Sequence, residues 1–88
     1  MFEYDPEKSA ANLAKHGIDF EQAQALWRDD NRVVFPARSD KEQRFMLIAR
    51  LDGKYWAAFA TMRDQIIRII SVRRARPKEV YEYERKEN

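Results

Sequence analysis

The sequence predicts an α+β fold, with two N-terminal helices and a C-terminal helix packed on an antiparallel β-sheet of about four to five strands. Three observations carry this expectation. Two helix-start signals fall in the first twenty residues, the apolar period changes from helical to alternating near Arg32, and Asp52-Gly53 is a strong two-residue hairpin signal. With 88 residues the chain is too short for two stable cores, so 1–88 reads as one domain. A chain of this size buries roughly two-thirds of its extended surface, which leaves stability modest and a partner welcome.

Phe2-Glu3-Tyr4 alternates over a length that allows only a short strand. Asp5 then caps a helix and Pro6 occupies its first turn, where no amide donor is needed. This helix runs to His16, with Ala10, Leu13 and Ala14 as its expected buried stripe, and Gly17 supplies the left-handed residue that ends it. Asp19 caps a second helix whose apolar face is Phe20, Ala23, Leu26 and Trp27, and Asp29-Asp30-Asn31 closes it.

From there the pattern is that of strands. Arg32 to Phe35 forms one, closed by Pro36, and Ala37 to Glu42 reads as a loop. Gln43 to Leu51 and Lys54 to Thr61 flank the Asp52-Gly53 hairpin, and a turn through Arg63-Asp64-Gln65 leads to Ile66–Val72, a β-branched run expected to be the most buried strand. Trp27, Phe45, Trp56 and Phe59 read as core aromatics. Pro77 begins a charged helix carrying Tyr81 and Tyr83. All helices are expected on one sheet face, leaving the other open.

Composition removes several chemistries. There is no cysteine, one histidine, no Gly-rich phosphate loop and no HExxH pattern, so neither a thiol nucleophile nor a Cys/His metal site is expected. Neither Ser9 nor Ser71 shows triad spacing. The N-terminus lacks the basic and apolar regions of a signal peptide, and no apolar run approaches the roughly twenty residues of a membrane span, so a cytoplasmic protein is expected.

The net charge of +2 conceals a strong asymmetry. Residues 63–78 carry six basic side chains against one acid, a local charge of +5, leaving −3 for the remainder. Five of the six are arginines, whose planar fork can grip two phosphate oxygens at once. Strand alternation puts Arg68 and Arg74 on one face and Ser71 and Arg73 on the other, unless a bulge intervenes. Ser71 and Arg73 then lie about 7 Å apart. An arginine within a strand must pair with an acid, here Asp64 or Glu21, or look into a groove. A phosphodiester site could use such arginines to stabilise the phosphorane, with Tyr81, Tyr83, Lys15 or His16 as candidates for proton transfer. His16 fits equally a capping role at the helix end.

Two segments together resemble the BrnT family of toxin–antitoxin ribonuclease toxins: FEYDPEKSAANLAKHGIDFEQA near the start, and RIISVRRA followed by Glu79 and Tyr83. The resemblance spans nearly the whole chain. It implies a RelE-like fold and metal-independent endoribonuclease activity that arrests growth, with no cofactor. It further implies neutralisation by a ribbon-helix-helix, BrnA-like antitoxin in a hetero-oligomer that contacts operator DNA only through that antitoxin. The catalytic positions it implies are Arg63, Arg68, Ser71, Arg73 and Tyr83, with Lys15, His16, Arg74 and Arg76 as RNA contacts. Where many members carry Arg after the late Glu, this chain has Val80. The residues alone leave two other readings open: a module that binds nucleic acid or an acidic protein without cutting it, and a corepressor scaffold for a DNA-binding partner.

Overall fold

The computed structural model describes residues 1–37 and 43–87. Its elements are β1 (Phe2–Glu3), α1 (Pro6–His16), α2 (Phe20–Ala23), a 3₁₀ segment (Gln24–Arg28), β2 (Val33–Ala37), β3 (Arg44–Leu51), β4 (Lys54–Arg63), β5 (Ile66–Arg74) and α3 (Pro77–Glu87). The five strands form one sheet in the order β1-β5-β4-β3-β2. Strands β2 to β5 are the expected antiparallel meander, and β1 adds a short parallel edge beside β5. Among the described residues no helix is long and apolar enough to cross a membrane.

The local signals act as their chemistry requires. The Asp5 carboxylate accepts hydrogen bonds from the amides of Glu7 (2.8 Å) and Lys8 (3.4 Å), and Gly17, at φ +82°, donates to the Leu13 carbonyl. Asp19 and Gln22 form a reciprocal capping box. The second helix then tightens into the 3₁₀ segment instead of continuing as α. Asp52 (φ +53°) and Gly53 (φ +78°) make the β3–β4 hairpin. The β4–β5 hairpin uses Asp64 and Gln65, both left-handed without a glycine.

Four expectations need correction. The stripe Ala10, Leu13, Ala14 is exposed, and α1 instead buries Ser9 and Asn12. The reason lies at the sheet edge. Beyond Arg68 strand β5 has no β1 neighbour, and the Asn12 side chain takes the missing place: its amide donates to the Val72 carbonyl (2.9 Å) while its oxygen accepts from the Val72 amide (3.1 Å). The same amide group donates to the Ile18 carbonyl at 2.8 Å, and Ser9 Oγ accepts from the Phe20 amide at 2.9 Å. A helix that satisfies a strand edge needs a polar buried face.

Strand β2 runs through Pro36 to Ala37, which an edge strand tolerates because the missing amide can face outward; residues 38–42 of the expected loop lie outside the described residues. The most buried strand is β4, where Trp56, Ala57, Ala58, Ala60 and Thr61 are all buried between two full-length neighbours.

Finally, the helices do not share one face. The main core joins Ile18, Phe20, Ala23 and Leu26 to Leu47, Ala49, Trp56, Ala58, Ile69 and Val72, with Phe2, Tyr4 and Trp27 at its margin. On the opposite face α3 buries Tyr83 against Val33 and Ile48, flanked by Phe35, Met46 and Tyr55. These apolar side chains of β2 and β3 need cover, and α3 crosses over to supply it. The β4–β5 half of that face is left outside this small cluster.

Candidate nucleic-acid interface

The uncovered half carries the arginines, and a β-bulge decides which ones. Strand β5 pairs Ile69 with Ala60 and Ser71 with Phe59, so Ile70 is the extra residue. Directly opposed residues share a face. Arg68 lies opposite Thr61, Ser71 opposite Phe59 and Arg73 opposite Ala57, while Arg63 lies opposite Ile66. Because Thr61, Phe59 and Ala57 alternate regularly with Arg63 along β4, the bulge gathers Arg63, Arg68, Ser71 and Arg73 onto one face. Regular alternation would have separated Arg68 from Ser71 and Arg73.

Arg73 is the most constrained of the four. Its two terminal nitrogens donate to the two Glu79 oxygens, both at 2.8 Å, and its guanidinium stands 5.2 Å from the Phe59 ring centroid. One nitrogen also donates to the Arg74 carbonyl at 3.1 Å. The Glu79 hydrogen bonds push the Arg73 pKa up against the opposing effect of burial. Reciprocally, the Arg73 hydrogen bonds hold the Glu79 carboxyl below its ordinary value; burial opposes this, and the Arg76 amide, donating to Glu79 at 2.8 Å, reinforces it. Glu79 therefore does two things at once, fixing Arg73 and capping α3.

Arg68 is far more open. It pairs with Glu3 of β1 at 3.3 Å, with the two side chains 47% and 50% exposed. Such a pair is readily exchanged for another anion. Arg63 stands exposed at the end of β4.

Lys15 and His16 approach this face from the side. The end of α1 and the edge of β5 enclose an open groove of about 210 Å³, lined by Lys8, Lys15, His16, Ile70 and Ser71 among others. Ser71 thus belongs both to the arginine face and to this groove. His16 closes α1 and is half-buried there.

The remaining candidates lie elsewhere. Arg74, opposite Trp56, sits on the other sheet face with its guanidinium 5.5 Å from the Trp56 ring centroid. Arg76 is exposed just before α3. Tyr83 is 2% exposed, packs edge-on to Tyr55 and donates its hydroxyl to Asp29 at 2.8 Å. Asp29 also accepts from the amides of Arg50 and Asn31. Burial pushes the Asp29 pKa up, yet these three hydrogen bonds and the Arg32 charge prevail and hold it low. Tyr83 thereby ties α3 to the far end of the sheet. Among the described residues no group of three His, Cys, Asp or Glu side chains is placed to hold a metal ion.

Several participants escaped the sequence reading. Glu79 as the partner of Arg73 was legible in principle, since Pro77 at the first helical position makes Glu79 the third residue of the helix, the position from which a glutamate reaches back to the cap. Glu3 and Phe59 carry no such signal, because their roles depend on sheet order and on the bulge.

A family model described as "Ribonuclease toxin, BrnT, of type II toxin-antitoxin system" matches residues 4–79. That span runs from Tyr4, one residue before the Asp5 cap of α1, to Glu79. No curated protein matches the chain.

Proposed function

The chain belongs to the BrnT family of ribonuclease toxins of type II toxin–antitoxin systems, and from that premise we propose that it is a metal-independent endoribonuclease using the bulged arginine face to hold the scissile phosphate. The observation that carries the proposal is the bulge at Ile70, which sets Arg63, Arg68, Ser71 and Arg73 on one face of the sheet. In this reaction the 2′-oxygen attacks the adjacent phosphorus, the bond to the 5′-oxygen breaks, and negative charge builds on the phosphorane. An arginine already fixed beside that position stabilises the charge without reorganising. Arg73 is held by Glu79 and Phe59, and Arg68 can exchange Glu3 for phosphate. Ser71 lies between them as a hydrogen-bonding group. Lys15 and His16 contact RNA from the end of α1. Arg74 and Arg76 extend the positive field, and Tyr83 contributes indirectly by fixing α3.

In the cell this activity cuts cytoplasmic RNA and arrests growth until a cognate antitoxin, a ribbon-helix-helix protein of the BrnA kind, binds the 88-residue toxin domain. The resulting hetero-oligomer reaches operator DNA through the antitoxin. Induced expression should stop growth, and Arg68→Ala or Arg73→Ala should restore it with the fold intact. Unchanged arrest in both variants would place the site elsewhere.

The Arg73–Glu79 pair favours a second reading, in which the face holds RNA or an acidic protein without cutting, because a carboxylate already occupies the fork. That reading predicts binding that Arg73→Ala weakens, and no cleavage by the unmodified protein.

A further inference from the structure

The groove between α1 and the edge of β5 is built to do more than flank the arginine face. Lys8, Lys15 and His16 fall on one side of α1, seven and eight residues apart, and line its rim. Ala11 and the bulged Ile70 give it an apolar lining, with the buried Phe20 beneath them, and Ser71 stands where it meets the arginines. Its two walls are fixed relative to each other, because Asn12 bonds both backbone groups of Val72. Among the described residues Lys8 and Lys15 have no ion pair, whereas Arg68 and Arg73 each have a carboxylate partner.

We propose that this groove is a second RNA subsite, which takes the unpaired nucleotide next to the scissile phosphate: the base lies on the apolar lining and its phosphate between Lys8 and Lys15. The inference rests on the ribonuclease reading above and extends it from one phosphate to a run of single-stranded RNA. Three features commit the groove to this ligand. An apolar floor under a cationic rim matches the two halves of a nucleotide, a flat base and a charged phosphate. Its volume of about 210 Å³ is below the ~300 Å³ lower range of small-molecule pockets, which suits a single base. Its continuity with Ser71 lets one strand pass from the groove onto the arginine face without a break. Lysine is also suited to a rim, since a flexible stem carrying a point charge follows a mobile backbone phosphate.

The test uses the full chain and 2′-O-methyl oligoribonucleotides, which lack the attacking hydroxyl and so report binding alone. Affinities of a dinucleotide, a tetranucleotide and a hexanucleotide are measured against salt for the unmodified protein and for a Lys8→Ala/Lys15→Ala double variant, with thermal unfolding confirming that both are folded. The unmodified protein should bind more tightly as length increases. The double variant should lose that gain, and its slope of log affinity against log salt on the hexanucleotide should fall by about 0.7, the share of one phosphate on a single strand. An Ile70→Asp variant, which puts a charge on the floor, should lose the gain as well.

A double variant that keeps both the length dependence and the salt slope overturns the subsite. Retained RNA binding together with lost antitoxin binding would overturn it too, and assign the groove to the protein partner. Failure of the unmodified protein to bind any oligonucleotide would instead remove the ribonuclease reading on which the inference rests.

Discussion

Arg73 and Glu79 meet through both ends of their charged groups, each nitrogen 2.8 Å from its own oxygen, with the two side chains only 22% and 14% exposed. This contact joins the arginine face to the first turn of α3, so site geometry and helix stability share one carboxylate. Glu79→Gln keeps an acceptor for the Arg76 amide but loses the charge-assisted fork. It should destabilise the protein by about 1–2 kcal/mol at neutral pH, measured by urea unfolding.

The same pair sets a pH dependence. Glu79 is held below its ordinary carboxyl value by Arg73, and Asp29 lies low because its hydrogen bonds prevail over burial. Groups whose folded pKa is depressed add stability above their unfolded values, and that stability is lost as pH falls through the folded ones. Unfolding free energy should therefore decline below about pH 5. The decline should be shallower in Glu79→Gln and in Asp29→Asn; identical slopes in all three proteins would show that neither carboxylate is linked to folding.

Asn12 and Ser9 make a second comparison. Asn12→Ala removes three buried hydrogen bonds and strands both backbone groups of Val72, so a loss of roughly 2–4 kcal/mol is expected. Ser9→Ala removes one acceptor and should lose about 1 kcal/mol. Because Val72 lies between Ser71 and Arg73, Asn12→Ala should also loosen β5, seen as faster amide exchange there. Exchange confined to α1 would contradict this.

These polar anchors mark the boundary of what a single sequence discloses. Asp5-Pro6, Gly17, Asp19 and Asp52-Gly53 act through neighbours a few residues away, and each was legible. Asn12 acts on Val72, sixty residues on, and looks like a surface residue until β5 is seen to lack a neighbour there. For the same reason the apolar Leu13 was assigned inward and is exposed. The arginine cluster was legible as charge, but its shared face depended on a bulge that alternation does not reveal. Tyr83 was expected to take part in catalysis. Its burial against Val33 and Ile48 became visible only once α3 was placed on the opposite face from α1.

Tyr83 and Asp29 are suited to a double-mutant cycle. Tyr83→Phe keeps the ring and removes the 2.8 Å hydrogen bond, and Asp29→Asn weakens the same contact. Each should destabilise by about 1–2 kcal/mol, with a coupling near 1 kcal/mol. If Tyr83 acts through α3, ribonuclease activity in Tyr83→Phe should fall less than about tenfold. A larger loss in a folded variant would give the hydroxyl a direct part in the reaction.

Gln65 holds φ +67° in a hairpin without glycine. A left-handed non-glycine residue carries strain of roughly 1 kcal/mol, so Gln65→Gly should raise the unfolding free energy by up to about that amount. Unchanged or lower stability would mean that the side chain makes a compensating contact.

The most direct test of the central claim compares three neighbouring arginines on the two sheet faces. Cleavage of a synthetic single-stranded RNA by the purified protein is followed in EDTA, together with Arg68→Ala, Arg73→Ala and Arg74→Ala. The bulged face predicts cleavage by the unmodified protein. Losses of about 100-fold are expected for Arg68→Ala and Arg73→Ala, and a much smaller one for Arg74→Ala, whose guanidinium lies over Trp56 on the opposite face. Intact RNA with the unmodified protein, or equal losses in all three variants, would contradict the account.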